Sequence, residues 1–178
     1  MTRVYCTNKL QKFIGKVETN LPADSNELTI NDWNAHLFFI ERKKCLIFVN
    51  SLTHYSVFIP AVLKKDLKQI NSLFFNRLTE QLINDGVIHH QNEIETIWKP
   101  TDLCFYKTNN NKSAIGRINY LVDSFNIHNI YKYESFEFMD VVYENGLLNQ
   151  TPFELKRDAT KYRSNSIKEM KRIIDYSH

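Results

Sequence analysis

Apolar residues recur along the chain with two periods, and the changes between them outline the elements. Val4-Tyr5-Cys6 reads as a short strand. Thr7 then caps a short helix in which Leu10, Phe13 and Ile14 share a face and Gly15 is the stop. Residues 16–31 are polar, with Pro22, Asp24, Ser25 and Asn26, and read as a long loop. Asn34–Ile40, Cys45–Asn50 and His54–Ile59 are strand-like, with short polar breaks that fit an antiparallel meander. Leu37-Phe38-Phe39-Ile40 and Leu46-Ile47-Phe48-Val49 are apolar at successive positions, so these strands are expected to be covered on both faces.

Beyond Pro60 the period becomes helical. Leu63, Leu67, Ile70, Phe74, Leu78 and Leu82 recur at steps of three or four, and Gly86 follows as a stop. Glu93–Trp98 reads as a shorter helix ended by Pro100, and Leu103–Lys107 as another strand. Ser113 is expected to cap a helix with the stripe Ile115, Ile118, Val122 and Phe125. Residues 133–145 fit a helix through Phe136, Met139 and Tyr143, and partly a strand; helix is the chosen reading. The patterns Thr151-Pro152-Phe153-Glu154 and Ser166-Ile167-Lys168-Glu169 read as two capping boxes. They predict a basic, helical C-terminal segment over about 152–178, whose last helix carries Ile167, Met170 and Ile174. No repeat or boundary divides the chain. The expectation is a single α+β domain over 1–178, with a mainly antiparallel sheet of about four or five strands packed against several helices.

Composition narrows the function classes. At 178 residues, 43% hydrophobic and 24% charged, the chain has ordinary globular usage. No apolar run approaches the ~18 residues of a membrane span, and the first residues lack a signal-peptide core. A cytoplasmic protein without a membrane partner is the expectation. Cys6, Cys45 and Cys104 are far apart and form no metal-binding pattern, so reduced thiols are expected, with no metal and no cofactor.

The net charge is +3, yet Lys156–Arg172 alone holds seven basic and two acidic residues. Such a segment suggests a polyanionic partner or a solvated helical face. Candidate anion- or nucleic-acid-binding residues follow from charge and position. Lys107, Asn109, Lys112, Ser113 and Arg117 surround a strand–loop–helix junction, where free N–H groups can hold an anion and Gly116 allows close approach. Arg42 and Lys43 sit at a hairpin tip, and Lys161 and Arg163 lie in the basic tail. A weaker pattern, Glu41-Arg42-Lys43 with Asp32 upstream, has the Glu-x-Lys form of a metal-dependent nuclease. His36 and His54 read as structural residues within strands.

Several blocks together resemble an uncharacterised family of small bacterial proteins, a domain of unknown function. They are Trp33-Asn34-Ala35-His36-Leu37-Phe38, Arg42 to Asn50, Thr53 with Tyr55-Ser56, and Lys107 to Asn119, with Leu148 to Pro152 as a weaker block. The similarity covers roughly residues 3–155. Its pattern often has Gly where this chain has Asn31 and an acidic residue where it has Tyr120. The resemblance implies a bacterial or phage-type protein and supplies no activity. The leading expectation is a non-enzymatic binding or adaptor protein with affinity for nucleic acid or another polyanion. The alternatives are a protein-interaction or assembly component, including a homo-oligomer, and a metal-dependent nuclease.

Overall fold

The computed structural model describes residues 1–19, 27–98, 102–157 and 160–176. Its centre is a five-stranded sheet of β1 (Thr2–Cys6), β2 (Asp32–Ile40), β3 (Lys43–Asn50), β4 (Ser56–Ile59) and β5 (Leu103–Lys107). The spatial order is β4-β3-β2-β1-β5. β2, β3 and β4 form the expected antiparallel meander, whereas β1 lies parallel to both β2 and β5. The sheet is therefore mixed, and the fold is α+β.

Side chains alternate across a strand, so the double apolar runs feed two cores. Trp33, Ala35 and Leu37 of β2, with Leu46 and Phe48 of β3, point to one face. There they meet Leu10 of α1 (Asn8–Ile14), Phe74 and Leu78 of α2 (Ile70–Asn84), Trp98 after α3 (Glu93–Ile97), and Met170 of α6 (Ser166–Asp175). The Phe74 ring lies edge-on to Trp33 at 5.2 Å. Phe38, Ile40, Cys45, Ile47, Val49 and Phe58 point to the other face. They pack against Ile118, Leu121 and Phe125 of α4 (Lys112–Lys132) and Leu148 of α5 (Val141–Gln150).

α5 also covers the exposed edge of β4. The Asn149 Oδ1 accepts from the Ser56 N–H at 3.0 Å, and the Asn145 and Asn149 amides donate to the Ser56 carbonyl at 2.8 and 3.1 Å. Side-chain amides thus occupy the ladder positions that a further strand would otherwise use.

Three expectations change. β6 (Phe153–Arg157) and β7 (Thr160–Ser164) pair antiparallel, so the helical C-terminal segment shrinks to α6. Phe153, Leu155, Tyr162 and Ser164 alternate with charged residues there, and that period of two prevails over the Thr-Pro-x-Glu pattern. Residues 133–145 are not one helix: a short 3-10 turn at Phe136–Phe138 precedes α5. The caps also shift by one or two residues. Asn111, not Ser113, accepts from Ala114 N, and Asn165, not Ser166, accepts from Lys168 N. The long-loop reading at 20–26, Pro100 and Asp158 lie outside the described residues. Among the described residues, no helix is long and apolar enough to cross a membrane.

Candidate functional site

A cleft of about 290 Å³ opens between the start of α4, the β3–β4 turn and the start of β6. Its lining includes His54, Ser113, Arg117, Tyr120, Phe153 and Glu154. Ser113, Arg117 and Tyr120 stand at i, i+4 and i+7 on α4 and so share one helical face.

The sequence of the β3–β4 turn explains how His54 arrives there. The Asn50 Oδ1 accepts from the Leu52 N–H, the Thr53 N–H and the Thr53 hydroxyl, each at 3.1 Å. This knot bends the chain, and His54 takes a left-handed φ of 57°, a region in which His, Asn and Asp are enriched. The Ser166 hydroxyl of α6 donates to the His54 carbonyl at 2.9 Å and fixes the turn from behind. The imidazole then meets Ser113, with Nε2 and Oγ 3.0 Å apart, and its ring lies 4.9 Å from that of Phe153. Burial, with the charge of Arg117 second, pushes His54 down to about 4, so the imidazole is neutral at neutral pH.

Arg117 is only 7% exposed. Its Nη2 donates to the Leu148 carbonyl near the end of α5 at 2.6 Å. The Tyr120 and Phe153 rings lie 5.3 and 5.5 Å from the guanidinium carbon. Its Nε is buried with no hydrogen-bond partner, and among the described residues no carboxylate forms an ion pair with it. Burial lowers its pKa to about 10, which leaves it cationic at neutral pH. The carbonyl and the rings offer partial negative charge; none offers a formal one.

The structure brings together some of the expected residues and separates others. Ser113 and Arg117 meet in the cleft. Lys107, Asn109 and Lys112 do not line it: Lys107 and Lys112 are exposed, and the Asn109 Oδ1 closes the loop by accepting from Asn111 N. The helix-start donors are partly used, since Ala114 N and Ile115 N both donate to Asn111. A Cβ on Gly116 meets nothing within 4 Å, so no close approach depends on it. Arg42 and Lys43 lie at the opposite end of β3 from His54, about 25 Å away at ~3.3 Å per residue. Lys43 pairs with Glu137 at 2.8 Å. Lys161 pairs with the cleft residue Glu154 at 3.5 Å, and Arg163 stands opposite Glu154 across the hairpin.

The Glu-x-Lys arrangement does not assemble. Asp32 is buried against Arg3 at one end of β2, while Glu41 follows its other end, roughly 30 Å away. Glu41 instead accepts from the Asn129 amide and from Phe136 N, both at 2.9 Å. The sequence left Tyr120 and Phe153 unassigned and placed His54 in a strand as a structural residue, whereas it lies in the turn before β4. The i, i+7 spacing of Ser113 and Tyr120 was a usable signal, whereas nothing local announced His54.

These features define an α+β protein in which a buried guanidinium, free of any carboxylate among the described residues, lies beside a Ser–His pair. The chain belongs to the DUF6933 family, a domain of unknown function, with residues 3–165 matched. No curated protein and no solved structure matches it.

Proposed function

We propose that this is a non-enzymatic binding protein that captures an anionic group between Arg117 and Ser113. The observation that carries this reading is the burial of Arg117 without a carboxylate partner among the described residues. Desolvating a cation costs several kcal/mol, and an apolar residue of similar volume is often as stable or more so. A cleft that keeps such a charge next to solvent has a use for it. His54 helps by staying neutral and turning the Ser113 hydroxyl, and the aromatic rings hold the guanidinium in one orientation. The separation of Arg42 and Lys43 from this cleft favours one small anionic group over the continuous basic track that a nucleic acid needs.

Calorimetric titration with 3-phenylpropionate, inorganic phosphate and short single-stranded DNA tests the reading. Binding of one of these to the wild type, and its loss in Arg117→Met, is expected. Equal binding by the two proteins refutes it.

A second reading, self-assembly, draws on a different observation. Tyr120, Ile127 and Tyr131 are exposed along one face of α4, and Tyr143 and Leu147 are exposed on α5. Apolar surface of this kind favours association between copies. A mass that rises with concentration, and falls to the monomer in Ile127→Asp, is the expected sedimentation result for that reading.

A further inference from the structure

The surroundings of Arg117 restrict which anion the cleft accepts. Among the described residues, Arg117 is the one Lys or Arg side chain in the lining, and Glu154 stands in the same lining. His54 adds no second positive charge, because burial keeps its imidazole neutral at neutral pH. A dianion entering here leaves one negative charge unmatched within the lining, where Glu154 is already paired with Lys161. A monoanion balances Arg117 with no charge left over. The planar, forked guanidinium also matches the two coplanar oxygens of a carboxylate.

The rest of the lining concerns what carries the acid. Tyr120, Pro152 and Phe153 supply an apolar wall, and the two rings already flank the guanidinium. At about 290 Å³ the cleft stands at the small end of the ~300–1,000 Å³ typical of ligand pockets, with room for one ring-sized group and its acid.

Building on the anion-binding reading above, we infer that the cleft takes a single carboxylate borne on an apolar or aromatic group. Such a group occurs in a free aromatic acid or at the C-terminus of a peptide ending in an apolar residue. Ser113 supplies the second polar contact. With the imidazole proton on Nε2, His54 donates to the Ser113 oxygen and frees the hydroxyl proton for the carboxylate. That choice of tautomer needs no net proton uptake.

The test is an NMR titration of the full chain that follows the Arg117 Nε–H cross-peak. The probes are N-acetylphenylalanine, its amide and phenyl phosphate, which is mainly dianionic at pH 7. N-acetylphenylalanine is expected to move the peak to saturation and to bind at least about tenfold more tightly than phenyl phosphate. The amide is expected to leave it unmoved. Ser113 is exposed, so Ser113→Ala folds, and it is expected to weaken the acid roughly three- to tenfold. A longer peptide ending in Phe separates the two sources: tighter binding than the single residue assigns a peptide terminus, and equal binding assigns a free acid. Tighter binding of phenyl phosphate overturns the carboxylate assignment and leaves the anion site standing. No Arg117-dependent binding of any probe overturns both.

Discussion

Acidification is expected to destabilise the protein through His54 before the carboxylates titrate. His54 is 6% exposed, and its imidazole sits near the buried Arg117. Burial and that charge lower its folded pKa from 6.5 to about 4. The unfolded chain therefore takes up a proton near pH 6.5, and the folded chain resists until about pH 4. As pH falls through this window the unfolded state is favoured, and stability declines. The full difference of about 2.5 units corresponds to about 3 kcal/mol, of which about 2 kcal/mol is lost between pH 7.5 and pH 5. His36 shifts in the same direction, by burial and then Lys9, and adds to the slope. His54→Asn isolates the His54 part, because Asn tolerates the left-handed φ of 57° without titrating. The assay is urea unfolding of both proteins at half-unit pH steps. The wild type is expected to lose about 2 kcal/mol more than the variant between pH 7.5 and pH 5. Parallel curves for the two proteins refute the reasoning.

Other perturbations probe separate parts of the fold. Gly146→Ala puts a Cβ 2.7 Å from the Asp85 Oδ1, a carboxylate held by Tyr55, Gln81 and Asn149. A loss of about 1–3 kcal/mol in chemical unfolding is expected, and an unchanged midpoint refutes the close packing of α2 on α5. Arg42→Gly is expected to stabilise by about 1 kcal/mol, because Glu41 and Arg42 hold φ of 46° and 66° in a tight hairpin turn. A fall in melting temperature counts against that turn. Glu144 is fully buried; burial raises its pKa, and the hydrogen bonds from Lys132, Tyr133 and His128 outweigh it and lower it. Its stabilisation is therefore present above pH 4.5 and lost below, so Glu144→Gln is expected to flatten the acid limb.

The parts of the fold that repeat locally were legible. The meander over 34–59 follows from short breaks between apolar runs, and α2 follows from a stripe sustained from Leu63 to Leu82. The parallel seating of β1 between β2 and β5 was not, because that pairing joins residues far apart in sequence through intervening helices. The β6–β7 hairpin was hidden by Thr151-Pro152-Phe153-Glu154, whose local cap preference yields to the cross-strand pairing of Phe153 with Ser164 and Glu154 with Arg163. Half of the site was visible as Ser113 and Arg117, expected beside the strand–loop–helix junction. The other half arrives by tertiary folding: the Asn50 knot turns His54 inward, and the hairpin brings Phe153 over it. Basic residues chosen by charge alone scattered, because a charge run shows nothing about which end of a strand it occupies.

The role proposed for Arg117 is to hold a ligand rather than to support the fold. The direct measurement compares the melting temperatures of the wild type and Arg117→Met, each with and without N-acetylphenylalanine. The ligand is expected to raise the wild-type melting temperature and leave the variant unmoved, while the ligand-free proteins differ by no more than about 1 kcal/mol in stability. A variant that is several kcal/mol less stable, from a wild type that no ligand stabilises, would make Arg117 a structural cap on α5 and contradict the claim.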